Sequence, residues 1–382
     1  MIGGCLTGFA ISWNLTNTGA IAGVLAGHYG TGLVVVGLLT SIAFGAEFVV
    51  MIPGGRAIDR YGARRVALTA VALCALGNAL LLVVPGIAAA LLLRFAIGFG
   101  VGAGFVAGSV WIASDPRGRT ALGQGLYGGI SLAGAGLATG IVPLLEGPLG
   151  WRSSYWTGLV LSVLALAIAA SCPGERGHGG HHAPTPLRAL LGSSLIGRIG
   201  AVHSASFALS VVVGNWIVTL LTRHLGLSYA AAGAVGALTL ILGVAGRPLG
   251  GWAGRHAGGH TYALLAGSLA AGAVATGVLA LSGSLALDIA SAAVLGLASG
   301  LPFGVVVAAA TTAFPQAPGE AIGAFNLYAV TSIIVATPLV GLSFSLRGDG
   351  RAGFLAIAVV AVFAIAAVPR DIFRAAAVTA AR

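Results

Sequence analysis

The chain has 382 residues, 58% of them apolar and only 7% charged, against about 25% charged in a soluble domain. That excludes a water-facing surface over most of the molecule and makes lipid its solvent. The net charge of +10 rests on 19 arginines and no lysine. They lie in short gaps between apolar runs, which excludes a nucleic-acid-binding patch and reads as topogenic charge.

A spanning helix needs about 20 apolar residues. Laid along the chain, that length predicts twelve spans, near 4–27, 33–54, 66–84, 88–112, 122–145, 153–171, 197–222, 229–250, 261–281, 286–309, 321–342 and 353–368. The 62 glycines are spread through these runs. Small residues let membrane helices approach closely, so the composition predicts tight packing. The longest polar gap, near 172–195, has six spans before it and six after. The expected fold is all-α: a six-helix bundle at 1–171, a cytoplasmic linker at 172–196 and a second six-helix bundle at 197–382. The first segment lacks a basic leader region and reads as a span that stays. Cys5, Cys74 and Cys172 give neither a disulfide framework nor metal-ligand spacing, and His178, His181 and His182 in the linker read as solvated; no cofactor or metal is expected.

Polar residues inside the spans carry the functional signal. Span 1 holds Asn14 and Asn17 near its middle. Buried amides join helices or line a solute cavity, and the cavity is the preferred reading for Asn14. Glu47 in span 2 is the only acid deep within a span. It reads as a proton carrier, or as a neutral Glu bonded to a neighbouring helix. Arg94, a third of the way into span 4, needs a partner or water. It reads as a proton-coupling or anion-contacting group, or as a structural Arg bonded to a backbone carbonyl or snorkelling outward. The two need not touch for coupling, since Arg94 can bias Glu47 through its field. His203 in span 7, Arg247 near the end of span 8 and Asn326 in span 11 are further cavity candidates.

The gap between spans 2 and 3 reads Gly55-Arg56-Ala57-Ile58-Asp59-Arg60-Tyr61-Gly62-Ala63-Arg64-Arg65. It resembles the signature G-x-x-x-D-R-x-G-x-R-R of the major facilitator superfamily. A degenerate copy lies 196 residues later: Gly251 and Gly258 keep the register of Gly55 and Gly62, and Arg255 stands where Asp59 stands. Arg94-Phe95-Ala96-Ile97-Gly98-Phe99-Gly100 is similar to the family's R-x-x-x-G-x-G pattern. Gly246-Arg247-Pro248-Leu249-Gly250-Gly251 resembles a stretch of the nitrate/nitrite porters and their cyanate-permease-like relatives, where it implies an anion-binding Arg. The family's antiporter pattern G-x-x-x-G-P is not met, because Ile141 follows Gly140.

The resemblance implies two bundles rocking about a central cavity, with Asp59 in a gate and Arg60 and Arg64 as partners of an acid near the end of span 4, a position that Asp115 fits. Gly55 is expected to permit a close helix crossing, and Gly62 a turn that a β-carbon would obstruct. With both termini placed in the cytoplasm, cytoplasmic segments hold eleven arginines and outer loops four, as the positive-inside rule requires. The expected function is secondary active transport of a small organic solute or anion across the cytoplasmic membrane, proton-coupled, by a monomer. A multidrug efflux antiporter is the alternative, and a polytopic enzyme or receptor is the reading from another class. No P-loop, zinc-binding H-E-x-x-H or nucleophile elbow is present.

Overall fold

The computed structural model describes residues 1–115, 121–174, 187–256, 260–314 and 318–380. The described residues form helices in chain order: α1 (Ile2–Thr16), α2 (Ala22–Tyr29), α3 (Leu33–Tyr61), α4 (Ala63–Leu81), α5 (Ile87–Ala113), α6 (Ala121–Leu144), the short α7 (Glu146–Leu149), α8 (Arg152–Ser171), the short α9 (Leu187–Leu191), α10 (Ser194–His203), α11 (Leu209–Leu225), α12 (Tyr229–His256), α13 (Thr261–Leu281), α14 (Leu285–Ala313), α15 (Pro318–Ser343), α16 (Arg351–Ala364) and α17 (Ile372–Ala380). Ten helical segments among these residues are long and apolar enough to cross a membrane, with α10 and α11 counted as one through the π-helical turn Ser204–Ala208. Beside these ten stand the first segment, broken between α1 and α2, and the shorter apolar helix Arg351–Ala367, which is consistent with the twelve spans expected. Internal prolines at 53, 143, 248, 302 and 338 are accommodated within the helices, as neighbouring membrane helices allow.

Three features depart from the sequence reading. Span 1 is not one helix: a 3-10 turn at Gly19–Ile21 joins α1 to α2. The signature between spans 2 and 3 is largely helix rather than loop. α3 continues through Pro53 to Tyr61, and Gly62 alone, at φ 86°, turns the chain into α4. A side chain is rarely tolerated there, so one glycine replaces a loop. The linker carries a helix, α9, whose Leu190 is buried; His178, His181 and His182 lie outside the described residues.

Packing here cannot be driven by water exclusion within lipid, so close contact and hydrogen bonds hold the bundle. Two crossings show how glycine provides it. On α5, Arg94, Gly98 and Gly102 recur every four residues and meet Leu39, Ala43 and Glu47, spaced likewise on α3. A β-carbon at Gly98 would overlap the Ala43 carbonyl, and one at Gly102 would lie 2.8 Å from the Glu47 Cα. In the second half Gly296, Gly300 and Gly304 of α14 meet Leu238, Gly243 and Gly251 of α12, with 2.7 Å from a β-carbon at Gly300 to the Gly243 oxygen.

The halves meet along two helix pairs. α6 lies against α12, with Gly136 on Ile241, Gly140 on Ala237 and Gly233 on Pro143. α3 meets α15 at the end remote from Gly62, where Gly37 approaches Thr337 and Pro338, and Gly341 approaches Leu33. At the Gly62 end of the same helices, a methyl at Gly55 or Gly323 would meet no atom within 4 Å. The close crossing expected at Gly55 is therefore not made there; α5 takes it, on the other face of α3, at Gly98 and Gly102.

Candidate functional site

The first half is centred on Arg94, which is fully buried. Its Nε donates to the Leu39 carbonyl at 3.0 Å, and one terminal nitrogen donates to the Asn14 carbonyl at 2.7 Å and to Asn17 Oδ1 at 3.5 Å. α1 stops at Thr16, so the carbonyls of its last turn lose their helical partners. The guanidinium meets that carbonyl-rich end, where the helix dipole also favours a cation. This is the backbone-bonded alternative for Arg94, and it explains the broken traverse: the break frees a carbonyl for Arg94, and Arg94 keeps the freed carbonyl from standing unpaired.

Asn14 and Asn17 belong to the same hub. Asn14 Nδ2 donates to the Ala10 carbonyl at 2.8 Å and to Ser162 Oγ at 3.1 Å, and its Oδ1 accepts from Asn78 Nδ2 at 2.6 Å. Asn17 Nδ2 donates to the Ser154 carbonyl at 3.0 Å. Both side chains are fully buried. The cavity reading of Asn14 is thus replaced by the helix-joining one, because its amide is occupied in tying α1 to α4 and α8.

Glu47 sits two turns along α3 from Leu39, about 12 Å at 1.5 Å per residue, and makes no ion pair with Arg94 among the described contacts. It is 6% exposed, and its Oε2 has no hydrogen-bond partner.

The second half brings three sequence candidates together. His203, Asn326 and Arg247 come from α10, α15 and α12. His203 Nε2 stands 3.3 Å from Asn326 Oδ1. Its ring stacks on Phe207 at 5.2 Å and meets the Phe325 ring edge-on at 5.0 Å. The Arg247 guanidinium lies over Phe303 at 4.3 Å and Phe207 at 5.3 Å. It also reaches out of its own half, donating to the Gly128 carbonyl of α6 at 2.9 Å. Arg247, Phe207, Phe303 and Asn326 are only half-buried. Phe207 and Phe303 carry no polar signal in an apolar run, and only the π-helical turn holding Phe207, a feature frequent at functional sites, marks the region.

A further link was not anticipated. Thr40 Oγ1 of α3 donates to Asn215 Oδ1 of α11 at 2.9 Å and stands 3.3 Å from Thr18 Oγ1. It joins the two halves on the side remote from Gly62. An Asn in the run Val213-Gly214-Asn215-Trp216 was the available sequence signal.

At the Gly62 end, Arg64 donates to the Cys172 and Ala170 carbonyls at 3.0 and 2.7 Å, capping the end of α8. Arg60 lies over the Tyr61 ring, and Asp115 stands 3.4 Å from the amino group of Met1. Asp59 lies in the last turn of α3, and its side chain is outside the described residues. Among the described residues no cluster of three or more metal-binding side chains occurs.

Comparison with known proteins supplies the family. No curated protein sequence matches the chain. Among solved structures, a bacterial homolog of the human lysosomal transporter Spinster, inward-facing and occupied, superposes with a TM-score of 0.77 at 16% identity, over 99% of this chain and 96% of the other. A mutant of the nucleoside transporter NupG gives 0.74 at 13% identity, over 96% and 99%. At such identities the likeness is one of fold. The sequence pattern of the Major Facilitator Superfamily matches residues 4–337, a stretch that takes in both the Arg94 hub and the Arg247 cluster, and the chain therefore belongs to the Major Facilitator Superfamily.

Proposed function

We propose that the protein is a secondary active transporter that carries a small organic solute or anion across the cytoplasmic membrane by alternating access, driven by protons, as a monomer with both termini in the cytoplasm. One observation supports this reading above the others. Arg247, a cation within a membrane-spanning helix, is half-buried at the seam and bonded to the opposite half. A cation in that place is costly unless it faces a crevice between the halves. The contacts of α3 with α15 at the end remote from Gly62, and the open surroundings of Gly55 and Gly323 at the other, fit a crevice entered from the Gly62 end. Opening the remote end would part Thr40 from Asn215 and close the two helices near Gly55, which is the use we assign to that glycine and to Asp59, Arg60, Gly62, Arg64 and Asp115 in the gate.

Glu47 is the coupling group in this reading. A buried carboxylate with one oxygen unpartnered changes its proton occupancy when its hydration changes between the two openings. The test is solute accumulation in proteoliposomes, screened over a substrate panel with and without a proton gradient. The wild-type protein should accumulate solute only with the gradient. Glu47→Gln should lose accumulation yet keep counterflow exchange, since a neutral Gln mimics the protonated carrier, and Asp59→Asn should slow both modes. Undiminished accumulation by Glu47→Gln would make Glu47 structural; the absence of gradient-dependent flux for every solute would sink the transport assignment.

A further inference from the structure

We propose that the crevice-facing edge of Arg247 is a binding subsite for a planar carboxylate, an aromatic or conjugated monoanion. The proposal deepens the transporter reading by naming a substrate class for the same cluster, but the binding step stands without transport.

The argument begins with donors. A guanidinium has five N–H donors in a fixed fork. One nitrogen of Arg247 is engaged by the Gly128 carbonyl, and no other hydrogen bond or ion pair is made by Arg247 among the described residues. Its face is occupied, because the guanidinium carbon lies 4.3 Å over the Phe303 ring and 5.3 Å from Phe207. A cation held flat on an aromatic face keeps its edge free, and a free guanidinium edge fits the two oxygens of a carboxylate. Arg94, by contrast, is wholly enclosed in the first half, bonded to carbonyls there through Nε and one terminal nitrogen. The subsite therefore offers one positive charge, which matches a monoanion rather than a doubly charged phosphate.

The walls specify the rest of the ligand. The His203 ring lies 5.9 Å from Phe303 and 5.0 Å from Phe325, and stacks on Phe207 within 13° of parallel. Phe303 and Phe207 meet the cation, and the buried His203 and Phe325 continue the aromatic cluster behind them. His203 Nδ1 has no hydrogen-bond partner, though the residue is 2% exposed, and Asn326 adds an amide at the half-buried margin. Rings prefer rings at their edges and offset faces, which favours a flat unsaturated ligand over a saturated one of equal size.

The test is equilibrium binding to the purified full-length protein in detergent, by calorimetry, with benzoate, cyclohexanecarboxylate and benzylamine as probes. Benzoate should bind tightest, cyclohexanecarboxylate about two- to tenfold more weakly, and benzylamine, which places a cation against Arg247, not measurably. Arg247→Gln should weaken benzoate at least tenfold, and Arg247→Lys should weaken it while keeping the preference for an anion. Phe303→Leu should retain carboxylate binding and lose the preference for the unsaturated ring. The proposal is overturned if benzylamine binds as well as benzoate, if no aromatic carboxylate binds at millimolar concentration, or if Arg247→Gln binds benzoate like the wild type. The wild-type probe series decides the matter even if a variant fails to fold. Benzoate binding without flux of any solute would sink the transporter reading and leave the subsite standing; flux of a neutral solute without benzoate binding would do the reverse.

Discussion

Arg94 and Arg247 are both arginines set within membrane-spanning helices, neither paired with a carboxylate among the described residues, yet their surroundings are opposite. Arg94 is wholly enclosed and bonded to carbonyls of α1 and α3 in its own half. Arg247 is half-exposed, lies on aromatic rings and sends a single hydrogen bond across the seam. The difference teaches that a membrane-buried arginine is placed by its surroundings rather than by its motif: carbonyls and full enclosure hold Arg94, whereas aromatic faces and partial exposure at the seam hold Arg247.

The comparison breaks most visibly under neutral substitution. Arg94→Gln removes two short charged hydrogen bonds, each about 1.5–3 kcal/mol, so about 3–6 kcal/mol of stability should go, with a large fall in melting temperature in detergent. Arg247→Gln removes one such bond and should cost half of that or less while abolishing transport. Equal melting temperatures for the two variants would erase the distinction.

The next effect concerns the crossing that seats Arg94. Gly98→Ala drives a methyl into the Ala43 carbonyl and should destabilise by about 1–3 kcal/mol, as overpacking does. Gly55→Ala, on the other face of α3, meets open space and should leave the melting temperature unchanged. If Gly98→Ala is also silent, α3 and α5 have slack between them and the seat of Arg94 is loose.

The smallest effect belongs to the seam. Thr40→Val deletes the donor to Asn215, a bond worth about 0.5–1.5 kcal/mol. It should shift the equilibrium between the two openings by about two- to tenfold. A cysteine in place of the buried Leu33 at the same end, with Cys5, Cys74 and Cys172 replaced, would report the shift as faster labelling by a membrane-impermeant thiol reagent. Unchanged labelling would show that the α3–α15 contact alone closes that end.

The sequence made the all-helical membrane fold and its long apolar segments legible, because lipid imposes a length on every spanning run. It made Gly62 legible, since a glycine between two spans had a stated steric reason. It also kept open the backbone-bonded state of Arg94. What it hid were arrangements set by partners far along the chain. The break after Thr16 has no proline or charge to mark it, and its stabilising group, Arg94, is 80 residues from Asn14. Phe207 and Phe303 look like any other apolar residue until Arg247 lies on them. The length of its apolar run ends span 2 near Gly54, but neighbouring helices let α3 continue through Pro53 to Tyr61.

The break in the first traverse has one more consequence. An interrupted helix is ordinarily a place where a bundle flexes. Here the end of α1 just before the interruption is fastened by a guanidinium anchored on α5, with amides from α1 and α4 bonded around it, so tilting α1 away from α3 would have to strip Arg94 of a carbonyl. The break is thereby tied on its α1 side to three other helices, whereas the face between α6 and α12 is lined by glycines and carries, among the described contacts, only the hydrogen bond from Arg247 to the Gly128 carbonyl.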